Sequence, residues 1–543
     1  MSVNGGRIRH WVLIETNANQ AYIFDTNRLR HVVGASYLIH QLGTAWVPEA
    51  AESCDGEVVL NISGKALLLV NDQDAARAVI RTVSGRVLRE APGLEVAGVV
   101  GPGFEASLLW RPGHADRDAD GAQRLTHVEA LDRTYELLDA VRQERPAPQL
   151  RDQLLPWFEV CPESGFPVAG IEERPEPRFA SASVLAKAGA RSQARSRMRE
   201  LFADLADVVP LDADDLRDDG WVAVIHADGN GVGKLLTDFP RRALLAAQDP
   251  SDQGGGLSLE HHARLLRVFT RDLDIATREA LRIAALDVTE GVDAEATILP
   301  VVVGGDDVTV VCHARFALDL VRRFARAFEE QTAARPVLRA VAGRGLTAAA
   351  GIAYVKPHHP FSAAYSLAEE LTASAKSVTQ AGDREVSSVD LHVGFESTLA
   401  DLASLRRRMA VGGLSRRGGP YVIRAGDGPG ADPCDLAELD KTMRITAALP
   451  SSMAHHLREG LARGEEEYAR RLRLAALSPE LPDGVQPDDI QFLAPIAVRR
   501  NGDAEGVTIV RLLDALLLGS ITREPLAATT VLSSGSDTPG ALR

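Results

Sequence analysis

The sequence predicts an α+β protein made of two similar ferredoxin-like modules and a helical C-terminal region. Three observations lead to this prediction. The order strand, helix, hairpin, helix occurs twice along the chain, as expected of ferredoxin-like domains. The second copy carries a Gly-Gly-Asp-Asp hairpin between two apolar, β-branched runs. Amphipathic helical segments dominate after residue 395. We therefore predict domains over residues 1–145, 146–215, 216–395 and 396–543, the last ending in a disordered tail.

Length and composition describe an ordinary globular chain. Its 543 residues suffice for three or four domains of about 150 residues. With 60 Lys and Arg against 75 Asp and Glu, the net charge of −15 argues against a long nucleic-acid contact, although a local basic groove is compatible with it. The four cysteines form no CxxC pair, and neither a signal sequence nor a membrane-spanning run is present. We expect a cytoplasmic protein with no zinc site and no membrane partner.

The first module begins with an apolar strand and continues with a helix whose apolar residues recur at helical spacing. Ser36 in this helix has three open interpretations, namely a cap, a packing residue or a ligand contact. The elements predicted up to residue 215 are a strand at 8–14, a helix at 27–46, a strand pair around Gly64-Lys65, helices at 74–90 and 127–144, a Pro-rich connector, and a basic-faced helix at 181–206.

The second module begins with a buried strand that ends at Asp228 and is followed by the loop GNGVGK. His226, inside this apolar strand, is predicted to be a core histidine. The later elements are predicted as a helix at 258–285, the Gly-Gly-Asp-Asp hairpin at 297–313, a helix at 315–332, a strand at 346–355, a helix at 361–378 and a strand at 387–395.

The loop GNGVGK is a candidate phosphate site, because such a turn directs backbone N–H groups outward at the start of a helix. It fits neither the Walker A pattern nor the dinucleotide fingerprint, so a plain turn between strand and helix is an equal alternative. The candidate nucleotide-binding residues in this loop are Gly229, Asn230, Gly231, Gly233 and Lys234.

The hairpin tip is the strongest candidate for chemistry. Gly304 and Gly305 tolerate the backbone of a tight turn and leave room for a large ligand. Asp306 and Asp307 would repel each other unless a cation lies between them, and hard oxygen ligands suit Mg²⁺ or Mn²⁺. With Asp228 they would hold two metal ions ~4 Å apart. The alternative is a solvated Gly-Asp turn on the surface.

Lysine side chains offer a positive charge for the phosphates of a nucleotide. Lys376 lies at a helix end in the same module and is predicted to reach those phosphates as a point charge. For both Lys376 and Lys234, a plain surface lysine is the alternative.

Three segments together resemble the second palm domain of Cas10 (Cmr2 and Csm1), the large subunit of type III CRISPR effectors. They are the strand ending in ADGNGVGK, the GGDD hairpin and the stretch AAAGIAYVKPHHPFSAAYSLAEELTASAK. The stretch IETNANQAYIFDTNRLRHVVGASYLIHQL resembles the first, degenerate palm of that family, so the similarity covers roughly residues 8–395.

The resemblance implies two ferredoxin-like palm (RRM-like) domains and a nucleotidyltransferase that joins ATP molecules into a cyclic nucleotide or oligoadenylate. The reaction would be attack of a 3′-hydroxyl on an α-phosphate with Mg²⁺ or Mn²⁺ bound. By this resemblance Asp228, Asp306 and Asp307 match the catalytic, metal-binding carboxylates. Gly304 and Gly305 match the turn, and Lys376 matches the lysine of the family's AK segment.

Two features depart from the family pattern. No HD nuclease domain fits before residue 8, and the cysteine pairs of the zinc-binding insert are missing; Cys161 is the one candidate remnant, and a small buried apolar residue is the alternative for it. We therefore expect a stand-alone signalling enzyme in antiviral defence, without DNase activity.

Several alternatives stay open at this stage. A diguanylate-cyclase-like enzyme fits less well, because Asp307 is followed by Val308, where that family has phenylalanine after a glutamate. A non-catalytic scaffold or nucleotide sensor that binds RNA and partner subunits is the other alternative. Activation by RNA or protein, and pairing of two chains, are also open.

Overall fold

We describe the protein from a computed structural model. The residues described are 7–62, 64–117, 123–144, 155–173, 176–202, 220–247, 255–290, 298–378, 385–395, 401–412, 414–424, 434–479, 481–482, 484–498 and 507–522. The predicted C-terminal tail lies outside them.

The first module has the ferredoxin-like topology that the sequence predicts. Its sheet is antiparallel with the order β2-β3-β1-β4, and it includes a fourth strand that the sequence analysis did not identify. The elements are β1 (Ile8–Asn17), α1 (Asn19–Ile23), α2 (Leu29–Gln41), a π-helical turn (Leu42–Trp46), α3 (Val47–Glu52), β2 (Glu57–Ile62), β3 (Lys65–Val70), α4 (Gln73–Glu90), β4 (Glu95–Val100), β5 (Phe104–Glu105) and α5 (His127–Glu144).

The connector forms a small hairpin and a long helix. The hairpin was not predicted, whereas the helix agrees with the basic-faced helix expected here. The elements are β6 (Val168–Glu172), β7 (Arg178–Ser181) and α6 (Ala182–Leu201). Ser181 caps α6 by accepting a hydrogen bond from the backbone N–H of Val184.

The second module repeats the topology of the first and extends it. Its sheet has the order β15-β12-β11-β8-β10-β9, so the four strands that correspond to the first module keep their relative order. The elements are β8 (Val222–Gly229), α7 (Val232–Thr237), α8 (Phe239–Ala247), α9 (Leu259–Thr289), β9 (Ile298–Gly304), β10 (Asp307–His313), α10 (Ala314–Ala333), α11 (Pro336–Ala342), β11 (Ala348–Val355), α12 (Phe361–Lys376) and β12 (Ser387–Val393).

Side chains alternate between the two faces of each strand, and the apolar ones of the two modules form two buried clusters. In β8, Ala223 and Ile225 pack on one side with residues of α9 and α10, while Val224 faces the other side. That other side holds α12 and also α2 of the first module. The two modules therefore share a continuous core, and the first module covers one face of the second sheet.

The C-terminal region is helical but is not purely so. It contains an added four-stranded sheet, β13-β14-β17-β16, and its strand β15 joins the sheet of the second module beside β12. The elements are α13 (Leu402–Met409), β13 (Ala410–Val411), β14 (Leu414–Ser415), β15 (Tyr421–Ile423), α14 (Leu436–Ala448), α15 (Ser451–Arg463), α16 (Glu465–Ala476), α17 (Pro487–Gln491), β16 (Ile496–Val498), β17 (Val507–Ile509) and α18 (Leu512–Ile521). The domain boundaries themselves stay predictions.

No helix among the described residues is long and apolar enough to cross a membrane.

Candidate functional site

The Gly-Gly-Asp-Asp segment forms the predicted hairpin tip between β9 and β10. Gly305 has φ +64°, which favours glycine, and Gly304 pairs with Asp307 where the strands close. Helix α9 holds this tip from outside the hairpin. The hydroxyl of Thr277 donates to the carbonyl oxygen of Gly305 at 2.6 Å, and the Gly305 N–H donates to Asp274 Oδ1 at 3.3 Å. The turn is thus fixed by a helix more than 25 residues earlier in the chain.

Sheet register brings Asp228 and Asp307 to the same face. Strand β10 pairs antiparallel with β8, and the last pairs of that ladder are Thr309 with His226 and Val308 with Ala227. Asp307 therefore comes opposite Asp228 at the next position, where side chains of neighbouring strands point to one side. Below them, Thr309 Oγ1 and His226 Nδ1 lie 3.3 Å apart on the same face.

Asp306 occupies a different position from its neighbour. Its side chain lies directly over Gly229, where an added Cβ would come within 2.9 Å of Asp306 Cβ. Gly229 is therefore required for space at this point, and its predicted contact with a phosphate stays a prediction.

The two adjacent aspartates are poorly stabilised as anions. Burial at the tip raises the pKa of Asp306 above its usual value. The pKa of Asp307 is raised first by partial loss of hydration and then by the negative charges of Asp306 and Glu369. Because the side chain of Asp307 is exposed at the tip, solvent screens these charges and limits the rise.

Lys376 lies at the end of α12, as predicted, and its ammonium group forms an ion pair with Asp228. Burial lowers the pKa of Lys376. Burial and then the charge of Lys376 lower the pKa of His226 to about 4, so this imidazole is neutral near pH 7. Lys376 therefore already supplies one positive charge to the carboxylates.

A cleft of about 450 Å³ opens beside these side chains. Both modules contribute to it, and the polar groups include Ser36, for which the sequence left three interpretations open. The lining residues are Ala18, Asn19, Gln20, Ile23, Ser36, Ile39, His226, Asp228, Val302, Gly304, Asp307, Thr309, Tyr365 and Glu369.

The lining residues that the sequence analysis did not find include Gln20, Tyr365 and Glu369. Gln20 of the first module donates a hydrogen bond to Glu369 and lies 3.4 Å from the hydroxyl of Tyr365, both on α12. The signal for Glu369 was present, since it lies two helical turns before Lys376 on the same helix face. No comparable sequence pattern marks Gln20.

The loop after Asp228 lies apart from this cleft. The Asn230 side chain is buried and donates to Thr347 Oγ1 at 3.0 Å and to the carbonyl oxygen of Val386 at 3.3 Å. Asn230 thereby braces neighbouring strands. Gly233 and Lys234 are exposed and do not line the cleft. Their role in nucleotide binding stays a prediction.

The donor chemistry of the site suits a hard divalent cation. The side chains of Asp228 and Asp307 offer carboxylate oxygens, and a cation would relieve the repulsion that raises the pKa of Asp307. However, no group of three or more His, Cys, Asp or Glu in the described part of the chain is arranged to hold a metal ion. The metal assignment therefore stays a prediction.

The second module is similar to a domain of known proteins. Residues 221–384 match the family model described as Cas10/Cmr2, second palm domain. The crystal structure of Csm1 in T. onnurineus is 15% identical, with the match covering 95% of this chain and 70% of that chain at a TM-score of 0.50. No curated protein sequence matches this chain.

Two Csm1–Csm4 cassettes are also similar. The cassette in complex with cA4 is 14% identical over 95% of this chain and 70% of that chain, with a TM-score of 0.47. The cassette in complex with AMPPNP is 15% identical over 68% of this chain, with a TM-score of 0.39. This last match spans only 53% of the solved chain. At these identities the similarity concerns the fold.

Proposed function

Because residues 221–384 form a second palm domain of the Cas10/Cmr2 type, we propose that this protein is a nucleotidyltransferase that joins ATP molecules into a cyclic oligonucleotide second messenger. The bond would form by attack of a 3′-hydroxyl on an α-phosphate, with release of pyrophosphate. The observation that carries the proposal is the register of the β8–β10 ladder, which leaves Asp307 opposite Asp228 one position beyond its last pair, at the wall of a cleft built by two modules.

The carboxylates of Asp228, Asp306 and Asp307 are the proposed ligands of Mg²⁺ or Mn²⁺. When bound, such ions lower the pKa of an attacking hydroxyl and neutralise the leaving group. Lys376 would move from Asp228 toward the phosphates as the carboxylate takes a new cation. Gly304, which has no side chain, leaves room beside Asp307 for the ligand.

The first module supplies the opposite wall of the cleft. Ser36 and Gln20 offer hydrogen-bonding groups there, and Ile39 offers an apolar surface. This wall would orient the nucleotide and exclude water, which strengthens the electrostatic interactions inside. ATP is the proposed substrate because it is the nucleotide that the Cas10 resemblance implies.

We further propose a role in CRISPR-like antiviral defence. The similar chains include Csm1 proteins solved with Csm4, with AMPPNP and with cA4. A protein partner, an RNA activator or a second copy of this chain would then switch on synthesis.

A second candidate is a nucleotide sensor or scaffold without turnover. It is favoured by the ion pair of Lys376 with Asp228, which satisfies one carboxylate without a metal ion. In this case the cleft would bind a nucleotide, and the carboxylates would serve only to position Lys376.

The test is incubation of the protein with each radiolabelled nucleoside triphosphate, alone and mixed, with Mg²⁺ or Mn²⁺. We expect a phosphatase-resistant product from ATP that is absent with the double variant Asp306→Ala, Asp307→Ala. Asp74→Ala is the matched control, because this exposed aspartate pairs only with Arg77 on the surface of α4. Nucleotide binding without product under either metal, with or without added RNA, would favour the sensor.

A further inference from the structure

Strand β12 presents a row of buried polar side chains to its neighbours. Ser388, Asp390 and His392 alternate with Val389 and Leu391, and all of them are buried. A half-exposed strand shows this alternation with its polar face in water, so burial of the polar face requires partners. The partners come from α12, α13 and the C-terminal region.

The row is attached to the last turn of α12 by two hydrogen bonds. Ser374 Oγ donates to Asp390 Oδ2 at 2.6 Å, and Ser388 Oγ donates to the carbonyl oxygen of Ala375 at 2.9 Å. Lys376 is the final residue of that turn and contacts Asp228. The helix end that carries the lysine is thus fastened to β12.

Two arginines from beyond β12 complete this attachment. Arg406 of α13 forms an ion pair with Asp390 and donates to Ser374 Oγ at 2.7 Å. Arg417 lies 3.7 Å from Asp390 Oδ1 and 3.0 Å from His392 Nδ1.

Arg417 is in turn held by Asp514. Its Nε donates to Asp514 Oδ1 at 3.1 Å, and Asp514 also accepts from Tyr421 at 2.7 Å and from the backbone N–H of Gly418 at 2.9 Å. A continuous chain of polar contacts therefore runs from α18 of the C-terminal region to the end of α12.

From these contacts we infer that Asp390, Ser374 and Arg406 are positioning residues for Lys376, and that through them the C-terminal region controls the charge delivered to the cleft. The inference rests on the proposed function, in which Lys376 meets the phosphates of a nucleotide. The physical reason is that a lysine side chain is flexible, so the direction it reaches is set by the helix turn that carries it. Losing the Ser374–Asp390 contact removes one of the two hydrogen bonds that hold that turn on β12.

The test measures the affinities of ATP and adenosine for the full chain. Triphosphate preference, the ratio of the two dissociation constants, reports on Lys376 and is insensitive to general loss of folded protein. We expect Ser374→Ala to lower this preference about tenfold, which corresponds to the lower end of the free energy of one hydrogen bond to a charged group. Ser374→Thr keeps the hydroxyl and should restore it.

Two further variants sharpen the comparison. Arg406→Met should act in the same direction as Ser374→Ala. Ser366→Ala is the matched control, because this serine of α12 donates only to the carbonyl oxygen of Ser362 at 3.0 Å. In the Lys376→Met background, Ser374→Ala should cause no additional loss, since the group it positions is gone.

The outcomes separate the inference from the proposed function. If Lys376→Met lowers triphosphate preference and Ser374→Ala and Arg406→Met do not, the inference is wrong and the proposed function stands. If Ser374→Ala is equally harmful without the lysine, its role is structural and the inference is again wrong. If the unmodified protein shows no preference for ATP over adenosine, both fail.

Discussion

Gly351 of β11 is the point of closest approach between the sheet and α12. A Cβ at this position would lie 2.1 Å from the carbonyl oxygen of Ala368 and 2.6 Å from the backbone nitrogen of Thr372. Ordinary van der Waals contact begins near 3.4 Å, so the oxygen is 1.3 Å too close. Both atoms belong to the backbone, and no side-chain rotation can relieve the overlap. Gly351→Ala must therefore push α12 away from β11 by about 1 Å, the size of that deficit.

The displacement has two expected consequences. Overpacking of this kind costs about 1–3 kcal/mol of unfolding free energy. The shift of α12 also moves Glu369 and Lys376, because both residues lie on this helix. A misplacement of ~1 Å at a reacting centre lowers rates by about 10²-fold. Loss of product should accordingly exceed what the loss of folded protein explains.

Urea unfolding followed by circular dichroism measures the first effect, and product formation at saturating ATP measures the second. Gly189→Ala on α6 is the matched control, since nothing lies within 4 Å of its added Cβ. This control should stabilise the protein by about 0.5–1 kcal/mol, the usual gain over glycine inside a helix. A Gly351→Ala protein as stable and as active as the parent would refute the packing argument.

Three further predictions follow from the hairpin tip and the buried histidines. Thr277→Val removes the 2.6 Å bond to Gly305; it should cost about 1 kcal/mol of stability and slow product formation, and an unchanged rate would contradict the role of α9. Asp307→Asn should abolish product yet raise the free energy of unfolding, because it removes repulsion from Asp306. The gain should be at most about 1 kcal/mol at this exposed position. A lower free energy of unfolding would contradict the repulsion. Acidification from about pH 6.5 to about pH 4 should destabilise the protein. In this range the histidines of the unfolded chain bind protons, whereas the same histidines stay neutral in the folded protein because their pKa values are lowered there. The raised pKa values of Asp306 and Asp307 oppose this trend, since those groups favour the folded state as pH falls, but they are fewer. Urea midpoints between pH 7 and pH 4.5 test it, and a flat profile would disprove it. The imidazoles concerned are His40, His127 and His392, with pKa values of about 3, and His226 and His262, with pKa values of about 4.

Most of the longer elements of both modules could be predicted from sequence because their signals are local. Strand alternation, helical periodicity and the glycines of the hairpin each depend on a few neighbouring residues. The strand after α4 escaped notice, since EVAGVV is short and contains Gly98. The C-terminal strands were missed for the same reason, because all five that the structure describes are only two or three residues long.

Only some residues of the candidate site could be predicted from the sequence. The end of β8 and the hairpin tip are marked by aspartates, so Asp228 and Asp307 were found. Asp306 and Asp307 are adjacent in sequence, but Asp306 lies in the turn and over Gly229, whereas Asp307 begins β10.

By itself, the sequence determined most of the strands and helices of the two modules, and that aspartates lie near the end of β8 and at the tip of the β9–β10 hairpin. Only the tertiary structure decided which charges meet. It brought Lys376 to Asp228, Gln20 to Glu369, and the polar row of β12 into the interior beside Arg406. These pairs are separated by 16 to 349 residues, and their meeting depends on strand order and helix packing, which no local pattern encodes.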